Sequence, residues 1–239
     1  MAHLAFLKPG PVDLSDYREM AERIAPPPEI TILQTETPLG LHREDALREL
    51  GAVARLQRAA DLLPLDRVDC IMWACTSCSF VFGRQGAEAQ ARELAQYAGK
   101  PASSTSLAFA EALQYLRLSR VALAAAYPPD VTELLIQFLN SYGIEVIRHV
   151  AIGLMNGPQV ARSTREEVFQ WIDQANDARA EAVLVPDTAL QTAAYVDELY
   201  PHFGKPVLTA NQVTLWLGLR LAGQPAHGRS LGYLFEREN

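Results

Sequence analysis

Short apolar blocks alternate along the chain with longer stretches in which apolar residues return every three or four positions. The first pattern predicts strands covered on both faces, the second amphipathic helices packed against them. Leu4 to Leu7 forms the first such block, and Lys8-Pro9-Gly10-Pro11 closes it. Asp13 or Ser15 then opens a helix reaching about Ile24, with Pro26-Pro27-Pro28 as its stop. Ile30 to Leu33 reads as a second strand. From His42 to Leu63, Ala46, Leu47, Leu50, Val53, Ala54, Leu56 and Leu63 recur at helical spacing between Arg and Glu, which predicts one amphipathic helix. Val68 to Ala74 is an apolar strand that ends abruptly in Cys75-Thr76-Ser77, and a helical segment, Gly83 to Tyr97, follows. Gly99-Lys100-Pro101 leads through Ser103 to Ser106 into a helix ending near Leu116.

At Ser119 the pattern starts again. His3 to Asp13 and Arg120 to Asp130 are each an apolar strand, then proline, then aspartate opening a helix. Gly99-Lys100-Pro101 has its counterpart in Gly204-Lys205-Pro206. The offset stays at about 105 to 120 residues, the mark of a duplicated half rather than a short solenoid repeat. In this register Cys75-Thr76 falls against Asp187-Thr188, because Ala182 to Pro186 is the second copy of the central strand. Further strands near Val121 and from Glu145 to Val150, with helices at Val131–Ser141, Arg165–Ala175, Leu190–Tyr200 and Gln212–Leu221, complete the alternation. The expected fold is α/β, two pseudo-symmetric parallel-sheet lobes with a site in the cleft between them. Residues 1–118 form the first lobe, to which 222–239 return, and 119–221 form the second.

Composition narrows the function. A formal charge of -7 with no cluster of Lys and Arg argues against a nucleic-acid partner. No apolar run approaches a membrane span, and the N-terminus lacks a leader pattern, so no membrane partner and a cytoplasmic location are expected. Three cysteines packed between Cys70 and Cys78 do not form a secreted disulfide framework. Cys70, inside the strand, reads as core. Cys75 and Cys78 have the spacing of a redox pair or half a metal site, but no second pair or nearby histidine completes a zinc shell, so no metal is expected. The five histidines are scattered and receive no role.

Cys75-Thr76-Ser77 after a strand, Ala126-Tyr127-Pro128-Pro129-Asp130-Val131, Gly204-Lys205-Pro206-Val207, Arg220-Leu221-Ala222-Gly223 and Gly232-Tyr233-Leu234-Phe235 occur in this order. Together they resemble the aspartate/glutamate racemase superfamily, in particular its arylmalonate decarboxylase and maleate cis-trans isomerase branch. The resemblance implies a small carboxylate bound between the halves, with no metal or organic cofactor. It assigns catalysis to Cys75 and the facing position, here Asp187. Thr76, Ser77, Tyr127, Thr188 and Gly10 would bind substrate or stabilise an enediolate.

The racemases of that superfamily resemble one another in having one cysteine per half, so Asp187 is a departure. A free thiol titrates near about 8.5 and is readily brought towards neutrality, whereas an ordinary aspartate, near about 3.9, is mismatched to a carbon acid at neutral pH. A symmetric two-thiol racemase is therefore disfavoured. The isomerases share the Cys-Thr-Ser of the first half, and the decarboxylases carry glycine where Cys75 stands and cysteine where Asp187 stands. The first reading is thus a maleate isomerase-like enzyme with a cysteine nucleophile. The second is an arylmalonate decarboxylase-like lyase, and the third a carboxylate-binding protein without turnover. Simpler roles remain beside these: a buried structural thiol for Cys75, a helix cap for Asp187, a turn residue in Tyr127. A homo-oligomer is compatible with the chain, although no exposed apolar face is legible.

Overall fold

The computed structural model describes residues 1–10, 15–35 and 41–236, and Asp13, one of the two expected helix caps, lies outside them. The first half runs β1 (His3–Pro9), α1 (Ser15–Glu22), β2 (Glu29–Thr35), α2 (Glu44–Leu50), α3 (Val53–Ala60), β3 (Cys70–Trp73), α4 (Ser77–Phe80), α5 (Gly83–Ala98), β4 (Ala102–Ser104) and α6 (Thr105–Leu116). The second runs β5 (Arg120–Ala125), α7 (Pro129–Asn140), β6 (Glu145–Ala151), α8 (Gly157–Val160), α9 (Arg165–Ala175), β7 (Ala182–Val185), a 3₁₀ turn (Ala193–Tyr195), α10 (Val196–Phe203), β8 (Val207–Thr209) and α11 (Ala210–Leu221). A last short helix, α12, spans Tyr233–Glu236.

Each half folds into a four-stranded sheet, ordered β2-β1-β3-β4 and β6-β5-β7-β8, with every pairing parallel. The identical order is the duplication seen in the sequence, and the α/β class with two lobes is as expected. The central strands are apolar throughout because both faces are covered. Cys70 to Trp73 and Ala182 to Val185 are buried at every position. The polar residues that follow these two strands therefore emerge at carboxyl ends, where a parallel sheet stops and a site can open.

The stretch expected as one helix from His42 to Leu63 is two, α2 and α3, broken at Gly51-Ala52. Packing explains the break. A Cβ on Gly51 would lie 2.0 Å from the Cys78 carbonyl oxygen and 2.8 Å from the Phe82 ring. The chain bends there so that α2 can sit against α4. Ser103-Ser104, read as part of a helix entry, lie instead in the short edge strand β4, and β8 is its counterpart; three residues are too brief for a two-residue period to stand out. The Leu190–Tyr200 helix begins later, with the 3₁₀ turn at Ala193.

Helix α11 follows β8 in sequence yet packs on α6, β3, β4 and α1. Gly218 makes this approach feasible, since a Cβ there would meet Met72 and Leu4 side chains at 3.3 and 3.4 Å. Every residue from Ala210 to Leu219 is buried, so the helix lacks a polar stripe. The segment beyond it lies along the first sheet: Gln224 accepts from Ala2 N–H at 2.8 Å and donates to the Pro26 carbonyl at 2.7 Å, and Ile24 pairs with Gly228.

Candidate active site

Cys75 follows β3, and its Sγ accepts the Cys78 N–H at 3.3 Å with the Ser77 hydroxyl 3.8 Å away. The amide and the hydroxyl are two donors within reach of the sulfur. Cys78 itself is pushed up, chiefly by burial and further by Cys75, so it remains a neutral thiol beside its neighbour. Cys70 behaves as the core residue expected of it, donating to the Gly218 carbonyl at 3.2 Å, and burial pushes its thiol up to about 12. Thr76 and Ser77 begin α4, where first-turn N–H groups have no helical carbonyl behind them.

The two strand ends meet at Pro186. The Thr76 hydroxyl donates to its carbonyl from the first half, and the Tyr127 hydroxyl, from the end of β5, donates to the same oxygen at 3.0 Å. Tyr127 is fully buried between the rings of His42 and Phe80, with centroids 4.9 and 5.7 Å away. Burial first, then the negative charges of Asp187 and Cys75, hold its phenol well above the usual range. Cys75, Tyr127 and Asp187 thus share one electrostatic environment.

The two carboxylate oxygens of Asp187 have different surroundings. Its Oδ1 accepts the Ala189 N–H at 2.8 Å, a local cap of the turn that follows. Its Oδ2 is buried without a hydrogen-bond partner among the described residues, and His42 Nε2 stands 3.7 Å from it. The neighbouring Thr188 is buried, and its carbonyl accepts the Lys8 ammonium at 3.0 Å. Gly10 follows β1 directly with φ 73°, and its carbonyl accepts from the Gln34 side chain.

Two residues of this region had no role in the sequence reading. His42 reaches the cleft because Leu41 pairs with Asn156 in an isolated antiparallel bridge, its own N–H donates to the Met155 carbonyl at 2.7 Å, and its Nδ1 lies 2.7 Å from the Leu154 carbonyl. Lys8 was taken for part of the strand-ending Lys-Pro-Gly-Pro run, yet its side chain is fully buried, with Nζ 5.7 Å from the Tyr17 ring centre. A lysine continuing an otherwise apolar strand was the legible signal. Asp16 lies near enough to feel that ammonium, and accepts from Ala193 N–H and Asn211 Nδ2, both at 2.7 Å. Burial raises its pKa despite these donors.

Two duplicated parallel sheets, with a held thiol at one central strand end and an acid at its counterpart, define a two-lobed α/β enzyme with these groups as its candidate site. The arylmalonate decarboxylase family model matches residues 39–235, and the chain belongs to that family. An arylmalonate decarboxylase of Bordetella bronchiseptica is 29% identical over 164 residues, covering 67% of this chain and 68% of that one. A maleate isomerase of Pseudomonas putida is 26% identical over 218 residues, covering 80% and 86%. Among solved structures, a Nocardia farcinica maleate cis-trans isomerase variant with a covalently bound succinylcysteine intermediate superposes with a TM-score of 0.89 at 19% identity, over 100% of this chain and 99% of that one. A liganded arylmalonate decarboxylase variant, with one glycine changed to cysteine and one cysteine to serine, superposes at 0.84 and 22% identity over the whole of both chains. At these identities the superpositions establish the fold. No helix among the described residues is long and apolar enough to cross a membrane.

Proposed function

We propose that this enzyme isomerises a small cis-enediacid of the maleate type without metal or organic cofactor. The observation that carries the reading is Cys75, its sulfur supported by the Cys78 N–H and the Ser77 hydroxyl, in one buried environment with Tyr127 and Asp187. The Cys75 thiolate adds to one alkene carbon, forming a C–S bond while the π pair moves onto the adjacent carbon and its carboxylate. The former double bond turns as a single bond, and elimination of the thiolate gives the trans product. Thr76 and Ser77 N–H groups, with the Thr76, Ser77 and Tyr127 hydroxyls, form the anion cradle, and such a donor is worth about 10²- to 10³-fold in rate. The Thr76 and Tyr127 hydroxyls must turn from the Pro186 carbonyl to do this. Thr188 and Gly10 are assigned to substrate binding on the same reading, which the buried Lys8 ammonium beside the Thr188 carbonyl supports for an anionic substrate. Asp187 supplies a proton on the face opposite Cys75.

The second reading, decarboxylation of a substituted malonate, draws support from the family model and the 29% identical relative. Proton NMR in D2O with maleate and substituted malonates, beside Cys75→Ser, separates them. Maleate converting to fumarate, and not in the variant, is the expected result. Loss of CO2 with deuterium entering the product moves the assignment to the decarboxylase. A carboxylate that binds without turnover leaves the binding-protein reading.

A further inference from the structure

The His42 contacts fix more than its position. A carbonyl oxygen can only accept, so the Nδ1 that lies 2.7 Å from the Leu154 carbonyl carries hydrogen. That leaves Nε2 as the nitrogen with a lone pair, and it stands 3.7 Å from Asp187 Oδ2. This is ion-pair rather than hydrogen-bond distance, and closing it takes a shift of about 1 Å, of the kind bound substrates bring about. With neither group protonated, a lone pair would face a carboxylate inside a buried cleft, which is unfavourable on both sides. One proton between them, as imidazolium and carboxylate or as imidazole and carboxylic acid, removes the conflict.

We infer that His42 and Asp187 act as a single one-proton store that protonates, and then deprotonates, the carbon next to the one bound by Cys75. This rests on the isomerase reading for its chemistry. After the thiolate adds, the proton passes from Asp187 Oδ2 to the carbanionic carbon, a C–H bond forms, and a neutral imidazole is left facing a carboxylate. That pair is then a base placed to recover the proton. Its recovery returns the C–H electron pair to carbon, the double bond re-forms, and the C–S bond breaks with its electrons going to sulfur. The proton balance over the cycle is zero. His42 is a positioning residue: Leu154 and Met155 carbonyls hold its ring and backbone, the Tyr127 ring flanks it, and it acts only through Asp187. The other titratable groups around the store are Cys75, Cys78 and Tyr127, with Lys8 reaching the adjacent Thr188 carbonyl.

The test pairs two readouts on the full-length protein. His42→Asn keeps an amide donor for the Leu154 carbonyl but cannot carry the proton, and Asp187→Asn keeps the oxygen that caps Ala189. With maleate, each variant is expected to lose about 10²- to 10³-fold in kcat with KM little changed, and to lose the basic limb of the pH profile. The double variant is expected to be no slower than the slower single one, because one proton cannot be removed twice. Losses that multiply, or a His42→Asn profile matching the parent, overturn the inference. Independently of turnover, nitrogen-15 NMR of the His42 ring should show Nδ1 protonated and an Nε2 resonance that moves in Asp187→Asn. An Nε2–H tautomer, or a resonance indifferent to Asp187, overturns it even if His42→Asn fails to fold. Absence of maleate turnover with the expected NMR result would remove the isomerase reading and leave the shared proton standing.

Discussion

Gly51→Ala tests whether the support beneath the thiol is as tight as the structure has it. The added Cβ would stand 2.0 Å from the Cys78 carbonyl oxygen and 2.8 Å from Phe82 Cε2, so α2 and α4 must separate by more than 1 Å. The obstacle is backbone, which cannot rotate away. The buried Gln90 amide joins the same two segments, donating to the Gly51 carbonyl at 2.6 Å and the Cys78 carbonyl at 3.0 Å, and separation strains both bonds. Overpacking of this kind costs about 1–3 kcal/mol, and weakening a buried hydrogen bond about another 1 kcal/mol. A total near 3 kcal/mol lowers the midpoint of thermal unfolding by roughly 6–12 °C in a chain of this size. Because α4 also carries the N–H groups beside Cys75, the rate of Cys75 alkylation by iodoacetamide should change as well. Gly99→Asn is the control, since Gly99 has φ 63° and open space around its Cβ direction, and asparagine tolerates that conformation. A Gly51→Ala midpoint within 2 °C of the parent, with unchanged alkylation, would refute the claim that α2 holds α4 in place.

Three further outcomes follow from the buried polar groups. Asp16 keeps its proton to higher pH in the folded protein than its ordinary 3.8, chiefly through burial, so the stability linked to it falls as pH rises from that value through the raised native one. Urea unfolding between pH 4 and 7 should show this slope flattened in Asp16→Asn, and an unaltered slope would rule out Asp16 as its source. Tyr127→Phe removes a donor to the Pro186 carbonyl, and kcat with maleate should fall by about 10²-fold while the protein stays folded; a fall below threefold would take the phenol out of the cradle. Lys8→Met removes the buried ammonium at nearly constant volume, and KM for a dicarboxylate should rise at least tenfold, about 1.4 kcal/mol, more than KM for a monocarboxylate. Equal changes for the two substrates would mean that Lys8 does not read the second charge.

The parts of the site legible in the sequence are those that local pattern encodes. An apolar run ending in Cys75-Thr76-Ser77, and its copy ending in Pro186-Asp187, identify two central strands and the residues at their ends without any knowledge of tertiary structure. Gly51 was passed over because helical periodicity continues through it; the break comes from Cys78 in another segment. The edge strands β4 and β8 were missed because three residues cannot display a period. His42 had no signal of its own, since its place depends on the Leu41–Asn156 bridge and on carbonyls more than a hundred residues away in the chain. For Asp187, the sequence left a choice between cap and acid; the structure shows the cap on Oδ1 and leaves Oδ2 without a hydrogen-bond partner among the described residues.

On the proposed reading, a thiol on one side and an acid on the other also suit the reaction itself. A racemase meets mirror-image substrates, so the groups on the two faces of its carbon must be alike in strength, and two thiols satisfy this. Addition across a double bond imposes the opposite requirement: sulfur must bond to one carbon while only a proton goes to the next. A soft nucleophile on one side and a hard proton carrier on the other suit that step better than two thiols, either of which could add. Aspartate alone would be too weak a base to recover the proton from carbon at neutral pH. Paired with an imidazole whose other nitrogen is tied to the Leu154 carbonyl, it shares its proton with a second basic group. On the proposed reading, Asp187 and His42 act as one unit, and neither residue would serve the reaction without the other.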